Sequence, residues 1–371
     1  MKDHTIEAKG FPTVGDGSGF SREGSFYREE LQLASRNRGM LLEALRYART
    51  PTGLHYLLVH YDIPEVDPSR WNLTVDGLVS RPLHLALDDI RRRPSQTTAV
   101  TMECAGNGRA LFLPRRISQP WLHEAIGTAE WTGIALKALL DDAGIRSEAV
   151  EVVFTGVDQG FEGGEMQFYQ RSLRIPDAMR DEVLLAYAMN GEPLPPQHGF
   201  PLRLVVPGWY GMTSVKWLRR IEVVAAPFEG YQMKRAYRYS RSSEEPGEAV
   251  SLIRVRALMI PPGIPDFMTR MRVVPAGDVM LSGRAWAGRL SVTRVEISAD
   301  GGSTWADARL DDHVSPFAWR GWTFSWHATP GTTTLCVRAT DSAGNTQPMQ
   351  QEWNVGGYGN NTVQQIEAIV R

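Results

Sequence analysis

The chain has 371 residues, 42% of them hydrophobic, with two cysteines and a formal net charge of −2. That length and apolar content suit a globular protein of two or three domains. The near-neutral balance gives no overall basic field for nucleic acid or anionic membranes, and two lone cysteines exclude a disulfide framework, a multi-cysteine zinc site and an iron–sulfur cluster.

Residues 1–25 are polar and glycine-rich, which predicts a loosely ordered arm without a hydrophobic signal core. Nothing downstream has the apolar length of a membrane span, so a cytoplasmic protein is the expectation, or a periplasmic one had a leader preceded this N-terminus. Across residues 28–48, Leu31, Met40, Leu41, Leu42 and Leu45 form an irregular helical stripe. RTPTGLHYLLVHYDIP reads as a short strand bracketed by prolines, and WNLTVDG as a strand ending in an Asp-Gly turn.

The middle third predicts strands alternating with helices. TGIALKALLDDAG carries an N-cap at Thr132, an apolar face through Leu136, Leu139 and Leu140, and Gly144 as its stop. AVEVVF is a strand, DEVLLAYAMNG a helix closed by Asn190 and Gly191, and PLRLVV a further strand. Three strands run into the polar loops CAGNGR, GVDQG and PGWYG, where such folds place chemistry. SRSSEEPGEA, at about residues 240–250, reads as a linker, and beyond it SVTRVEIS, WTFSWHA and TTLCVRA alternate strictly, as in an immunoglobulin-like sandwich. The expected organisation is an arm and helix over residues 1–50, a catalytic domain over 51–240 and a β domain over 250–371.

Val100, Met102 and Cys104 share one side of a strand by the two-residue period, so the thiol faces the loop Gly106-Asn107-Gly108, from which Arg109 also reaches. Cys104 is then either a small buried hydrophobe or a soft-metal ligand beside a guanidinium suited to an anion. A cysteine nucleophile paired with His60, His123 or His198 lacks a local signature. In LPPQHGFPLRLVVPGWYGMTSVKWLRR, His198, Arg203 and Lys216 surround one strand and two loops. An arginine inside LRLVV is costly to bury alone; it satisfies a structural salt bridge or an anion such as phosphate, with Thr213 and Ser214 adding hydroxyls. Asp158 suits an Asx turn or the amino groups of a heterocycle. Glu162 and Glu165 lie in a glycine-rich loop ill suited to a paired-carboxylate site. Tyr237, amid basic residues, is a surface tyrosine or a phenol that donates to an oxyanion. Neither a GxGxxG nor a Walker-type loop occurs, and no CxxCH haem-attachment motif is present.

From about residue 50 to the C-terminus the chain resembles the sulfite oxidase family of molybdopterin-dependent oxidoreductases. The motifs ECAGNGR, AIGTAEWTGIAL and LLAYAMNGEPLPPQHGFPLRLVVPGWYGMTSVKWL, then a β domain like the family's dimerisation domain, follow in the family's order. The resemblance implies an α+β (mixed α/β) molybdopterin-binding domain followed by an all-β immunoglobulin-like sandwich, in the haem-free form of plant and bacterial members. It implies a molybdenum–molybdopterin cofactor and no haem. By the same resemblance Cys104 is the thiolate on molybdenum, Arg109 lines the anion pocket and Tyr237 is the active-site tyrosine. Tyr56, His60, Asp158, His198, Arg203, Ser214 and Lys216 hold the pterin and its phosphate. The implied reaction is two-electron oxo transfer, with sulfite oxidation to sulfate leading. The implied partners are a small oxyanion or sulfur-containing substrate, an electron acceptor that the sequence does not name, and a second copy joined through the C-terminal domain.

Two positions depart from the family's pattern. Leu58 stands where sulfite-oxidising members place an arginine two residues before the histidine aligned with His60, and Gln365 where they carry one near the C-terminus. Each lost guanidinium removes a contact worth about 1.5–3 kcal/mol to an anion, with Arg320 in FAWRGW as a candidate replacement. The alternative is the same cofactor acting on another sulfur compound or an S- or N-oxide. A non-enzymatic dimerising module is the third option, and the joint presence of thiol, cationic residues and tyrosine argues against it.

Overall fold

The computed structural model describes residues 26–242 and 244–371; the arm expected over residues 1–25 lies outside the described residues. Two sheets build the first half. One has five strands in the spatial order Leu83–Ala86, Asn72–Gly77, Leu218–Val224, Glu151–Glu162 and Glu165–Arg174, antiparallel except where Asn72–Gly77 runs parallel to Leu218–Val224. The other runs Gln96–Glu103, Ile126–Ala135, Leu184–Met189 and Glu192–Pro193, with Arg203–Val205 also on Leu184–Met189. Leu73, Ile134, Leu139, Phe154, Leu185, Leu204 and Ile221 close one core between them.

This half is mixed α and β, but it carries more strand and less helix than the expected alternation. The expected helix in DEVLLAYAMNG is the strand Leu184–Met189. Leu184, Leu185 and Ala186 are fully buried between two neighbouring strands, so the continuous apolar run is a two-sided core strand. Asn190 and Gly191, at φ 53° and 84°, form its two-residue hairpin turn and not a helix cap. In TGIALKALLDDAG the helix is Leu136–Ala143, ending on left-handed Gly144 as expected, while Thr132 lies within the preceding strand. The stripe over residues 28–48 breaks into the helix Arg28–Arg36 and the short 3-10 turn Leu42–Arg46. The prolines flanking residues 55–60 leave an extended segment with a 3-10 turn at Thr52–Leu54 and a single bridge from Arg38 to Leu57, not a strand. Inside the expected linker, Glu248–Ala249 pairs with Arg238–Tyr239.

The second half is a two-sheet β sandwich. Four strands, Arg256–Met259, Gly277–Trp286, Arg320–Ala328 and Arg309–Leu310, face six, ordered Ile264–Pro265, Arg272–Val274, Gln364–Val370, Gly331–Asp341, Val292–Ser298 and Ala306–Asp307. Its core includes Leu281, Val295, Trp322, Leu335 and Val337, on the inward phase of the alternating sequence. Among the described residues no helix is long and apolar enough to cross a membrane.

Candidate active site

A cleft of about 620 Å³ opens where the two sheets of the first half meet the segment 55–60. Val100, Met102 and Cys104 share one buried cluster, as the strand period requires, and Cys104 follows the last residue of Gln96–Glu103. Its backbone N–H donates to Ala125 O at 2.9 Å, its carbonyl accepts from Asn107 N at 2.9 Å, and the side chain lines the cleft. Burial pushes the Cys104 thiol up, against the charge of Arg109 and the N–H of Gly106.

Arg203 lies on the short strand Arg203–Val205. Its Nη1 donates to His198 O at 3.0 Å and its Nη2 to Ser214 O at 3.0 Å, and its guanidinium sits 4.7 Å from the centre of the Trp131 ring. Lys216 Nζ donates to Leu58 O at 2.8 Å and Gln197 O at 3.1 Å. Both cations are satisfied by carbonyls; burial lowers Arg203 to about 10, and burial followed by the charge of Arg203 lowers Lys216. Left-handed Gly199, φ 107°, leaves no room for a side chain: a Cβ there would lie 3.0 Å from Lys216 Cβ and 3.1 Å from Arg203 Cβ. Asp158 sits where the register of Glu151–Glu162 shifts between Thr155 and Gln159; the bulge turns its carboxyl into the cleft, and burial raises its pKa.

Tyr237 and His60 meet at 2.5 Å, Oη to Nε2, and the His60 ring stacks on Tyr169 at 4.6 Å between centres. Burial, then the charges of Lys216, Arg109 and Arg171, hold His60 down at about 3. His60 is therefore neutral, and the pair shares one proton donor between a phenol and an imidazole.

Of the residues the sequence pointed to, Tyr56, His60, Cys104, Asp158, His198, Arg203, Ser214, Lys216 and Tyr237 line this cleft together, as does Leu58. Three do not. Arg109 lines a neighbouring cleft of about 1480 Å³, where Nε donates to Gly356 O at 2.9 Å and the guanidinium packs 5.2 Å from the centre of the Tyr358 ring. Gln365 lies exposed in Gln364–Val370, on a different groove. The C-terminal segment that does approach the site is residues 356–360, where Gly359 N donates to Ala105 O at 2.8 Å. Arg320 donates to Asp311 O and, at 3.1 Å, to Val292 O within the sandwich, so it does not replace a guanidinium in the cleft. His55 escaped the sequence analysis, although it lies next to Tyr56 in HYLLVH; it lines the cleft with its ring 5.5 Å from that of His198.

The donor set describes what the cleft takes. His55 Nε2, His198 Nε2 and Asp158 Oδ1 are buried without hydrogen-bond partners, an expense that a polar ligand relieves. Two buried cations, only one of them within reach of a carboxyl group, Asp158 beside Lys216, ask for a further anionic group such as phosphate. Among the described residues no three His, Cys, Asp or Glu side chains could hold a metal, so Cys104 offers one ligand and a metal here takes the others from a cofactor. A polar heterocycle that carries both a phosphate and a metal fits the residues present.

Residues 60–232 match the oxidoreductase molybdopterin binding domain, and residues 253–370 the Mo-co oxidoreductase dimerisation domain. Over 342 residues the chain is 33% identical to mitochondrial sulfite oxidase of Rattus norvegicus, covering 86% of this chain and 61% of that protein. It is 32% identical to an NADH nitrate reductase of Solanum lycopersicum, covering 84% of this chain and 37% of that protein. The chain thus spans only part of the length of these curated relatives. It superposes on the sulfane dehydrogenase SoxCD of Paracoccus pantotrophus with a TM-score of 0.79 at 25% identity, covering 100% of this chain and 95% of that one. With its site, its two domains and these relatives in agreement, the chain belongs to the sulfite oxidase family of molybdopterin-dependent oxidoreductases.

Proposed function

We propose that the protein performs two-electron oxo transfer on a small sulfur oxyanion, sulfite to sulfate, at a molybdenum–molybdopterin cofactor held in the cleft of Cys104. The observation that carries this reading is the shared cleft itself: one thiol lines it together with two buried cations whose hydrogen bonds go to backbone carbonyls. The bound cofactor supplies the oxygen-atom and two-electron chemistry. Cys104 is the protein ligand, and its raised thiol pKa means that metal charge drives its ionisation. Arg203, Lys216 and the hydroxyl of Ser214 bind the phosphate, while His55, His198 and Asp158 pair with the heterocycle through atoms otherwise left alone. Tyr237 and His60 line the same cleft, where the phenol orients the substrate oxyanion and holds a proton that His60 can exchange. The sandwich, matched to a dimerisation domain and built as an immunoglobulin-like fold, joins two copies.

Leu58 favours a second reading. It lines the cleft and packs on the buried cluster of Tyr56 and Cys104 where a guanidinium would add charge, which suits a less charged sulfur compound, such as a sulfane or an S- or N-oxide. Elemental analysis tests the cofactor: about one molybdenum per chain is expected, and Cys104→Ser abolishes turnover. A fully metallated Cys104→Ser protein with the parent's rate overturns the ligand assignment. Steady-state rates with sulfite and an artificial acceptor separate the substrates. A micromolar KM supports sulfite; a millimolar or unmeasurable one, beside efficient turnover of a sulfane with the acceptor or of a sulfoxide with an artificial electron donor, supports the second reading.

A further inference from the structure

Arg171 is buried on the strand Glu165–Arg174, yet it does not line the cleft. Two residues away on the same face, Tyr169 stacks on His60 and donates to Met212 O at 2.8 Å. The Arg171 guanidinium lies 5.4 Å from the centre of the Tyr237 ring; Nη1 donates to Gln232 O, and Nε has no partner. Tyr237 also packs on Tyr358, ring centres 5.1 Å apart, and Arg109 sits over the far end of that pair, 5.2 Å from the Tyr358 centre. Guanidinium, phenol, phenol and guanidinium therefore follow one another, with Tyr237 in direct contact with Arg171. The groups that act on Arg171 are the dipoles of the Tyr169, Tyr237 and Tyr358 phenols and the charge of the Glu151 carboxylate; that carboxylate already accepts Phe228 N at 2.9 Å. Keeping a guanidinium desolvated here is costly, and its cation–π contact recovers only part of that cost.

We infer that Arg171 is a positioning residue that sets the charge preference of the site: it fixes the ring of Tyr237 against His60 and supplies, from behind that ring, positive charge favouring an anionic substrate. This rests on the oxo-transfer reading proposed above. A cation beside a phenol strengthens the phenol as a hydrogen-bond donor to an oxyanion, and in a dry site its field is weakly screened. The cleft can thus favour an anion although Leu58 lines its wall.

The test compares the holoenzyme with Arg171→Met, Arg171→Gln and Arg171→Lys. For the two neutral variants the KM for sulfite and the inhibition constant for sulfate rise about tenfold or more, kcat changes less, and turnover of a neutral sulfoxide is spared. Arg171→Lys restores most of the affinity, with molybdenum content and thermal midpoint as in the parent. Calorimetric titration of sulfate reads the same difference whether or not sulfite is turned over, so failure of the substrate assignment is seen separately. Unchanged sulfate affinity in Arg171→Met or Arg171→Gln overturns the inference. So does an Arg171→Lys protein that is stable and metallated but as weak as the neutral variants.

Discussion

Tyr237 is held in the left-handed region at φ +55°, where a bulky side chain is costly by about 1–3 kcal/mol. Its backbone carbonyl accepts Val250 N at 2.9 Å, and its ring is fixed by Tyr358 and Arg171. Such strain persists only where the surroundings over-determine it. Tyr237→Phe keeps the ring and its packing and removes only the donor. We expect kcat for the oxyanion to fall about 10²-fold, with molybdenum content unchanged; a loss under threefold would remove the hydroxyl from the reaction. At this scale much of the site was legible, because Cys104, Arg203 and Lys216 are polar groups in apolar or loop settings that need a reason. Arg171 was not. Its strand, EMQFYQRSLR, carries two arginines, Arg171 and Arg174, and only the fold shows which one is buried. Gln365 and Arg320 misled for the opposite reason: distance along the chain says nothing of which sheet face a residue takes.

Strand ends and bulges carry the site, and they are the features that periodicity resolves least. The bulge that turns Asp158 inward reads in sequence as a glycine loop, and Asn190-Gly191 reads equally as helix cap or hairpin until a pairing partner is known. Immediately before Cys104, Glu103 is an element-level anchor that the sequence did not suggest. Its Oε1 accepts Arg256 Nη1 at 2.7 Å and Asn107 Nδ2 at 2.9 Å, and its Oε2 accepts Trp286 Nε1 at 2.8 Å. Arg256 and Trp286 belong to the sandwich, so this buried pair fastens the end of the cysteine strand to the second domain. Removing one member of such a pair leaves a charge without compensation. Arg256→Met is therefore expected to cost about 3–5 kcal/mol, with Glu103→Gln in the same chain recovering part of the loss. Urea unfolding of the two single variants and the double checks this; a cost under 1 kcal/mol for Arg256→Met would show that the strand end is held by other contacts.

Across the whole molecule, the second domain closes over the first as well as packing beside it. Trp319 Nε1 donates to Ala48 O at 2.7 Å and its backbone N to Thr101 Oγ1 at 2.7 Å on the cysteine strand, while Asn360 Nδ2 donates to Gly108 O at 2.9 Å, so the sandwich holds the Cys104 loop and the strand that leads into it. The β character of that domain was plain from strict alternation, whereas its grip on the loop depends on contacts between residues hundreds of positions apart. The closed cleft has a consequence for acid stability. Burial holds His55 at about 4, and burial followed by the charges of His55 and Arg203 holds His198 at about 2, both below their ordinary 6.5. The folded protein therefore binds fewer protons than the unfolded chain at these two positions. Their contribution is complete above pH 6.5 and is lost as pH falls towards the folded values, at about 1.4 kcal/mol per pH unit for each histidine. Asp158, whose pKa burial raises, opposes them: the folded state holds its proton first, which returns stability over the same range. His60 and His123, held at about 3 chiefly by burial, act in the same sense, so four histidines stand against one aspartate and the cofactor-free protein should lose about 3 kcal/mol between pH 6.5 and 5.5. Urea midpoints at pH 7.5, 6.5 and 5.5 read this directly, and His198→Asn should flatten the slope. A midpoint that stays level from 6.5 to 5.5 in the parent would mean that these imidazoles find water or a proton in the folded state, and that the cleft is wetter than its geometry requires.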